Sequence, residues 1–110
     1  MKLVIIESPY SGNVERNVNY ARCCLFDSLW RGEAPMASHL LYTQVLDDLR
    51  PAQRVVGMEA GWQWIAKADY VAVYMDLGMS RGMEEGIKRA LALNIPVVER
   101  LIGFNGAPIQ

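Results

Sequence analysis

Two glycine-bearing loops carry most of the side chains that could do chemistry. The first, Glu7-Ser8-Pro9-Tyr10-Ser11-Gly12-Asn13, leads into a helical pattern. Its serine hydroxyls, the unhindered backbone at Gly12 and the free N–H groups of a helix start suit an anion. A capped turn with Ser11 or Asn13 as N-cap accounts for the same residues without any ligand. The second loop, Asp76-Leu77-Gly78-Met79-Ser80-Arg81-Gly82-Met83, follows a strand-like run. There Asp76 could accept a ribose hydroxyl, Ser80 could cap a helix or touch a phosphate, and Gly78 and Gly82 clear space. The loop lacks the Lys-Ser/Thr pair of a Walker motif and is no Gly-x-Gly-x-x-Gly fingerprint.

Few other residues compete. His39 is the single histidine, at the end of a second strand, where it serves as a structural hydrogen bonder or as part of a site. Glu84 and Glu85 fall in a first helical turn, which favours acidic side chains in any case. Asp47-Asp48 reads as a solvated helix face, and Trp30, Trp62 and Trp64 as core or interface anchors rather than stacking platforms. One histidine and two adjacent cysteines, Cys23 and Cys24, leave too few soft ligands for zinc, so no metal and no cofactor are expected.

The elements that must position these groups follow from periodicity. Leu3 to Ile6 is an apolar run of the buried-strand type. Val14, Val18, Ala21, Leu25 and Leu29 recur at three and four, which predicts an amphipathic helix closed by Arg31-Gly32. Ala34 to Ser38 is the second strand. A second helical region spans Gln44 to Lys67, broken near Arg50-Pro51. Tyr70 to Tyr74 is the clearest strand, Ser80 to Leu93 a helix stopped at Asn94, and Pro96-Val97-Val98 starts the last strand.

The order β-α-β-α-β-α-β requires right-handed crossovers and hence a parallel sheet of four to five strands covered on both faces. In a flavodoxin-like strand order the first and third strands are neighbours, and the crevice lies between the loops Glu7 to Asn13 and Asp76 to Gly82.

Composition narrows the partners. The chain has 110 residues, 52% of them apolar, and a net charge of −1. It makes one domain over 1–102, with a turn-rich tail over 103–110 that reads as an arm or a disordered end. Its arginines are scattered among carboxylates, which argues against a polynucleotide partner. The first apolar run is too short for a signal peptide or a membrane span. Adjacent cysteines on a helix do not pair, which points to a reduced, cytoplasmic setting. Three Trp and six Met in so short a chain point to a homo-oligomer.

Taken in order, several segments resemble the nucleoside 2-deoxyribosyltransferase-like superfamily, in its branch of small bacterial and phage domains. They are Ser8-Pro9-Tyr10-Ser11-Gly12-Asn13-Val14-Glu15-Arg16-Asn17, Pro35-Met36-Ala37-Ser38-His39-Leu40, Ala68-Asp69, the Asp76–Met83 loop, and Ala90 to Val97. The resemblance implies a flavodoxin-like (Rossmann-like) three-layer α/β fold, often oligomeric, that holds a nucleoside or its 5′-phosphate. It maps pocket positions onto Tyr10, Gly12, His39, Asp76, Ser80 and Gly82. The full candidate ligand set adds Ser8, Ser11, Asn13, Gly78 and Met83 from the same loops.

Superfamily enzymes use a glutamate in the helix after the third strand as nucleophile on an N-glycosidic bond. Aligning on Gly82-Met83, Ala90 and Pro96 puts Gly86 at that position, with Glu85 one residue and a turn of about 100° away. The first reading is therefore a protein that binds a nucleotide-derived molecule without turnover, for instance a phage sponge for an immune signal in the host cytoplasm. The alternative is an N-glycosidase or deoxyribosyltransferase in which Glu85 or Glu84 swings in to attack the anomeric carbon while Asp76 holds the sugar.

Overall fold

The computed structural model describes residues 1–109. Its four strands, β1 (Leu3–Glu7), β2 (Ala34–Met36), β3 (Tyr70–Tyr74) and β4 (Val97–Arg100), form one parallel sheet in the order β2-β1-β3-β4. The helices are α1 (Val14–Trp30), the short α2 (Ser38–Leu41), α3 (Pro51–Ile65) and α4 (Arg81–Ala92). This is a flavodoxin-like strand order, with β1 and β3 adjacent, in the parallel sheet that the alternation of elements requires.

Side-chain alternation along the central strands divides the core in two. Val4, Ile6, Ala72 and Tyr74 face α1, where they bury Tyr20 and Cys24. Ile5, Val71 and Val73 face the other way, against Ile65 of α3 and Met83 and Ala90 of α4. Each fully buried Val or Ile side chain is worth roughly 1.5–3 kcal/mol. Glu7 continues the Ile5 side of β1, so its carboxyl enters the α3–α4 layer rather than the α1 layer.

A polar cluster fastens β3 and β4 to the far end of α1. Arg100 donates from both terminal nitrogens to Glu33, at 2.8 and 2.7 Å, and Ser28 adds a bond of 2.7 Å. The Tyr70 hydroxyl also donates to Glu33. The Arg100 guanidinium, chiefly, holds this carboxyl down at about pKa 2. Tyr74 donates to Asp27 at 2.8 Å and accepts from Arg100 at 3.1 Å.

Four local expectations are corrected. β2 stops at Met36, and Ser38 already begins α2, so His39 lies in a helical turn rather than at a strand end. The helical region expected over Gln44 to Lys67 is a 3-10 turn at Tyr42–Gln44 followed, after a gap, by α3. Pro51 sits at the start of α3, where its missing N–H costs nothing. Trp30 is 77% and Trp64 50% exposed, so neither is the core anchor that was one of the two roles expected of them. Finally, Phe104 packs on the core at α1 and Asn19 donates to the Gly106 carbonyl at 3.0 Å, so the segment 103–106 lies along α1 instead of projecting.

Candidate functional site

The loop after β1 is built to stay still. Gly12 takes φ +97°, a backbone conformation open to glycine, and Asn13 then caps α1 by accepting from the Arg16 N–H at 3.1 Å. Asn17, one turn into the helix and 1% exposed, donates to the carbonyls of Tyr10 and Ser11 at 2.8 and 3.0 Å. So anchored, the Tyr10 ring stacks on His39 with centroids 5.1 Å apart. Burial lowers the pKa of His39, against the pull of Asp48 and the Ser8 backbone, so the ring is neutral at pH 7. Ser11 accepts from Arg54 at 3.3 Å, and Arg54 also lies 3.7 Å from Asp48.

These residues border a cavity of about 390 Å³ at the carboxyl ends of β1 and β2. Its walls are α2, the turn after it, α3 and the first residues of α4. Trp62 closes one side, its outer face covered by the Arg89 guanidinium 4.0 Å from the ring centroid. Ser80 caps α4, accepting from the Met83 N–H at 3.2 Å, and with Arg81 and Gly82 forms part of the rim. Gly61 lets α3 approach α2, because a Cβ there would meet Ser38 Cβ at 3.2 Å.

Glu7 belongs to the same cavity. Its carboxyl accepts no hydrogen bond and forms no ion pair among the described residues, and burial alone raises its pKa to about 8. It rests directly on α4 at Gly86: a Cβ at that position would lie 2.5 Å from Oε2 and 2.7 Å from Cδ. The carboxylate that the resemblance expects from α4 is thus absent at Gly86, and a carboxyl from β1 fills the adjoining space.

The candidate residues separate into four groups. Tyr10, Ser11, His39, Ser80 and Gly82 line the cavity together. Ser8 and Met83 are buried beneath it, while Gly12, Asn13 and Gly78 shape turns and caps.

Asp76 and Glu85 lie elsewhere. Asp76 accepts from the Tyr20 hydroxyl at 2.7 Å and from the N–H groups of Ile102, Gly103 and Phe104 at 2.9 to 3.2 Å. Burial opposes its charge, but those donors outweigh it and lower its pKa. Its carboxylate is thereby committed on the α1 side of the sheet. Glu85 points to solvent beside Lys88 at 3.6 Å, because Gly86 occupies the buried face of α4 and its neighbour is turned away.

Three lining residues, Glu7, Arg54 and Trp62, are not among the site residues expected from the sequence. For Glu7 a signal existed, since an ionisable residue ends an otherwise apolar central strand at the edge where sites form. No comparable signal marks Arg54 or Trp62. Among the described residues no group of three or more His, Cys, Asp or Glu could hold a metal ion, and no helix is long and apolar enough to cross a membrane.

A parallel sheet with β1 and β3 adjacent, and a cavity beside the carboxyl end of β1, defines a flavodoxin-like α/β domain. The chain belongs to the family described as a domain of unknown function (DUF7768), which matches residues 2–100. Among solved structures it is similar to the 2-deoxyribosyltransferase of the psychrotolerant bacterium Bacillus psychrosaccharolyticus. That likeness has a TM-score of 0.65 at 16% identity and covers 94% of this chain and 75% of that one. At such an identity the likeness is one of fold. A search of curated proteins gives no match.

Proposed function

We propose that the cavity binds a nucleoside or a nucleoside 5′-monophosphate. The observation that carries this reading is the stacked Tyr10–His39 pair on the wall of a 390 Å³ cavity. Its volume falls at the lower end of small-molecule sites, and a few polar groups converge on a mostly apolar lining, as ligand sites require. The aromatic pair offers a π-face to a base, and the Glu7 carboxyl lines the same cavity. Arg54 with Ser11, and the start of α4 at Ser80, offer positive charge and N–H groups to a phosphate. The fold-level likeness to a deoxyribosyltransferase supports the same ligand class.

Calorimetric titration with the four common 2′-deoxynucleosides and their 5′-monophosphates tests the reading. At least one is expected to bind saturably, and Tyr10→Ala to weaken it by about 1–3 kcal/mol, the range for losing one base–aromatic stack. If no member of the panel binds, the reading is wrong.

A further inference from the structure

α1 is apolar on two sides. Its inner face buries Tyr20, Ala21 and Cys24. Its outer side carries a second set in two rows: Val18, Arg22, Phe26 and Trp30 recur every four residues, and Leu25 and Leu29 form the row beside them. Rows of this spacing are the ridges by which helices pack on one another. Along them runs a groove of about 430 Å³, bordered also by Leu40 of α2 and by Ile109. Trp30 pairs edge-on with Phe26, ring centroids 5.9 Å apart, and stands one turn past it. Exposed apolar residues scattered singly need no explanation, but a contiguous row marks an interaction surface. Trp30 is 77% exposed, Leu29 50% and Phe26 43%. Arg22, set among them, makes no ion pair among the described residues. α1 covers the sheet face opposite α3 and α4, and the groove shares no residue with the cavity described above.

We propose that the outer face of α1 is a dimer interface, in which the α1 ridge of a second copy seats in this groove with Trp30 as its anchor. Self-complementarity names the occupant. The projecting indole and the groove lie on one face of one helix, so a single two-fold axis engages both pairs at once and closes the assembly. Ridges of four-residue spacing on both helices pack at a crossing of about 50°. With the axis at Phe26, Arg22 and Trp30 lie four residues to either side, each about 6 Å along the helix. Arg22 then faces the partner's Trp30 at cation–π range, and a guanidinium without an ion pair in the monomer gains a partner. Trp and Arg are the residue types that dominate interface energies. One helix face per copy falls short of the roughly 800 Å² per partner of a standard interface, so the dimer is reversible, with a Kd on the order of 10 μM.

Sedimentation velocity of the full chain from about 1 to 300 μM, a range that brackets that Kd, is the test. The sedimentation coefficient is expected to climb from the monomer value toward that of a dimer. Trp30→Ser should raise Kd by about 30-fold or more, as loss of an interface anchor does. Arg22→Glu, which sets a carboxylate against the indole face, should do the same. Both side chains are exposed, so circular dichroism should show both variants folded. Trp64→Ser removes the other half-exposed indole, on α3, and should leave Kd unchanged. A monomer at every concentration overturns the proposal, whatever else the groove then takes. So does a dimer that survives both Trp30→Ser and Arg22→Glu, or one that only Trp64→Ser dissolves.

Discussion

Alanine at position 86 would place a methyl group in the space that the Glu7 carboxyl occupies. The new Cβ would lie 2.5 Å from Oε2, 2.7 Å from Cδ and 3.0 Å from Oε1, all well inside ordinary contact. Two opposed effects follow. The helix gains about 1 kcal/mol from replacing an interior glycine. The overlap costs about 1–3 kcal/mol, as small-to-large changes in packed sites do. Because the colliding atoms are the tip of a flexible chain, the carboxyl can rotate toward the cavity, which holds the cost near the lower half of that range. Gly86→Ala alone should therefore be neutral to destabilising by about 1 kcal/mol.

In a Glu7→Ala background the obstacle is gone, and the same substitution should stabilise by about 1 kcal/mol. Urea unfolding of the four proteins at pH 6, followed by circular dichroism, measures the difference. A coupling of about 1–2 kcal/mol is expected, well above the few tenths that separate independent sites. Additive effects would mean that Glu7 does not rest on Gly86, and the placement of the carboxyl argued above would be refuted.

Three further outcomes follow from the same structure. The pKa of Glu7 is raised on folding, so its contribution to stability is complete below about 4.5 and is lost as pH rises through about 8. The full difference is at most about 5 kcal/mol, and roughly 2 kcal/mol is expected because the carboxyl faces a cavity that admits water. Urea midpoints of wild type should fall across that window while those of Glu7→Gln stay level, and parallel curves would contradict the shift. Arg100→Met strands the buried Glu33 carboxylate and should cost about 3–5 kcal/mol at pH 7, read as a fall in Tm. Glu33 has a depressed pKa, so wild type loses this pair's contribution as pH drops from about 4.5 toward 2, and the variant has none to lose. Asp76→Asn should speed hydrogen exchange at Ile102, Gly103 and Phe104 while leaving nucleoside affinity unchanged. Lost affinity with the three amides still protected would return Asp76 to the ligand site.

Much of the architecture is legible in the chain because it depends on local physics. Apolar β-branched runs at Leu3–Ile6 and Tyr70–Tyr74, alternating with helical periodicity, force a parallel sheet whatever the later details. Caps are equally local, so Asn13 and Ser80 take the roles their neighbours imply. The loops at the carboxyl edge follow from the order of elements, which is why Tyr10, Ser11, His39, Ser80 and Gly82 could be named and do share one cavity.

What the tertiary structure alone decided is which partner each polar group meets. Asp76 reads as a ribose acceptor from its place after β3, but its donors come from Ile102 to Phe104, which no local rule brings near. Glu85 reads as the nearest carboxylate to the expected nucleophile, yet helix phase turns it to water. Gly86 in sequence is simply a missing carboxylate. In space it is the clearance for Glu7, and only the register that sets β1 against α4 makes that a single feature.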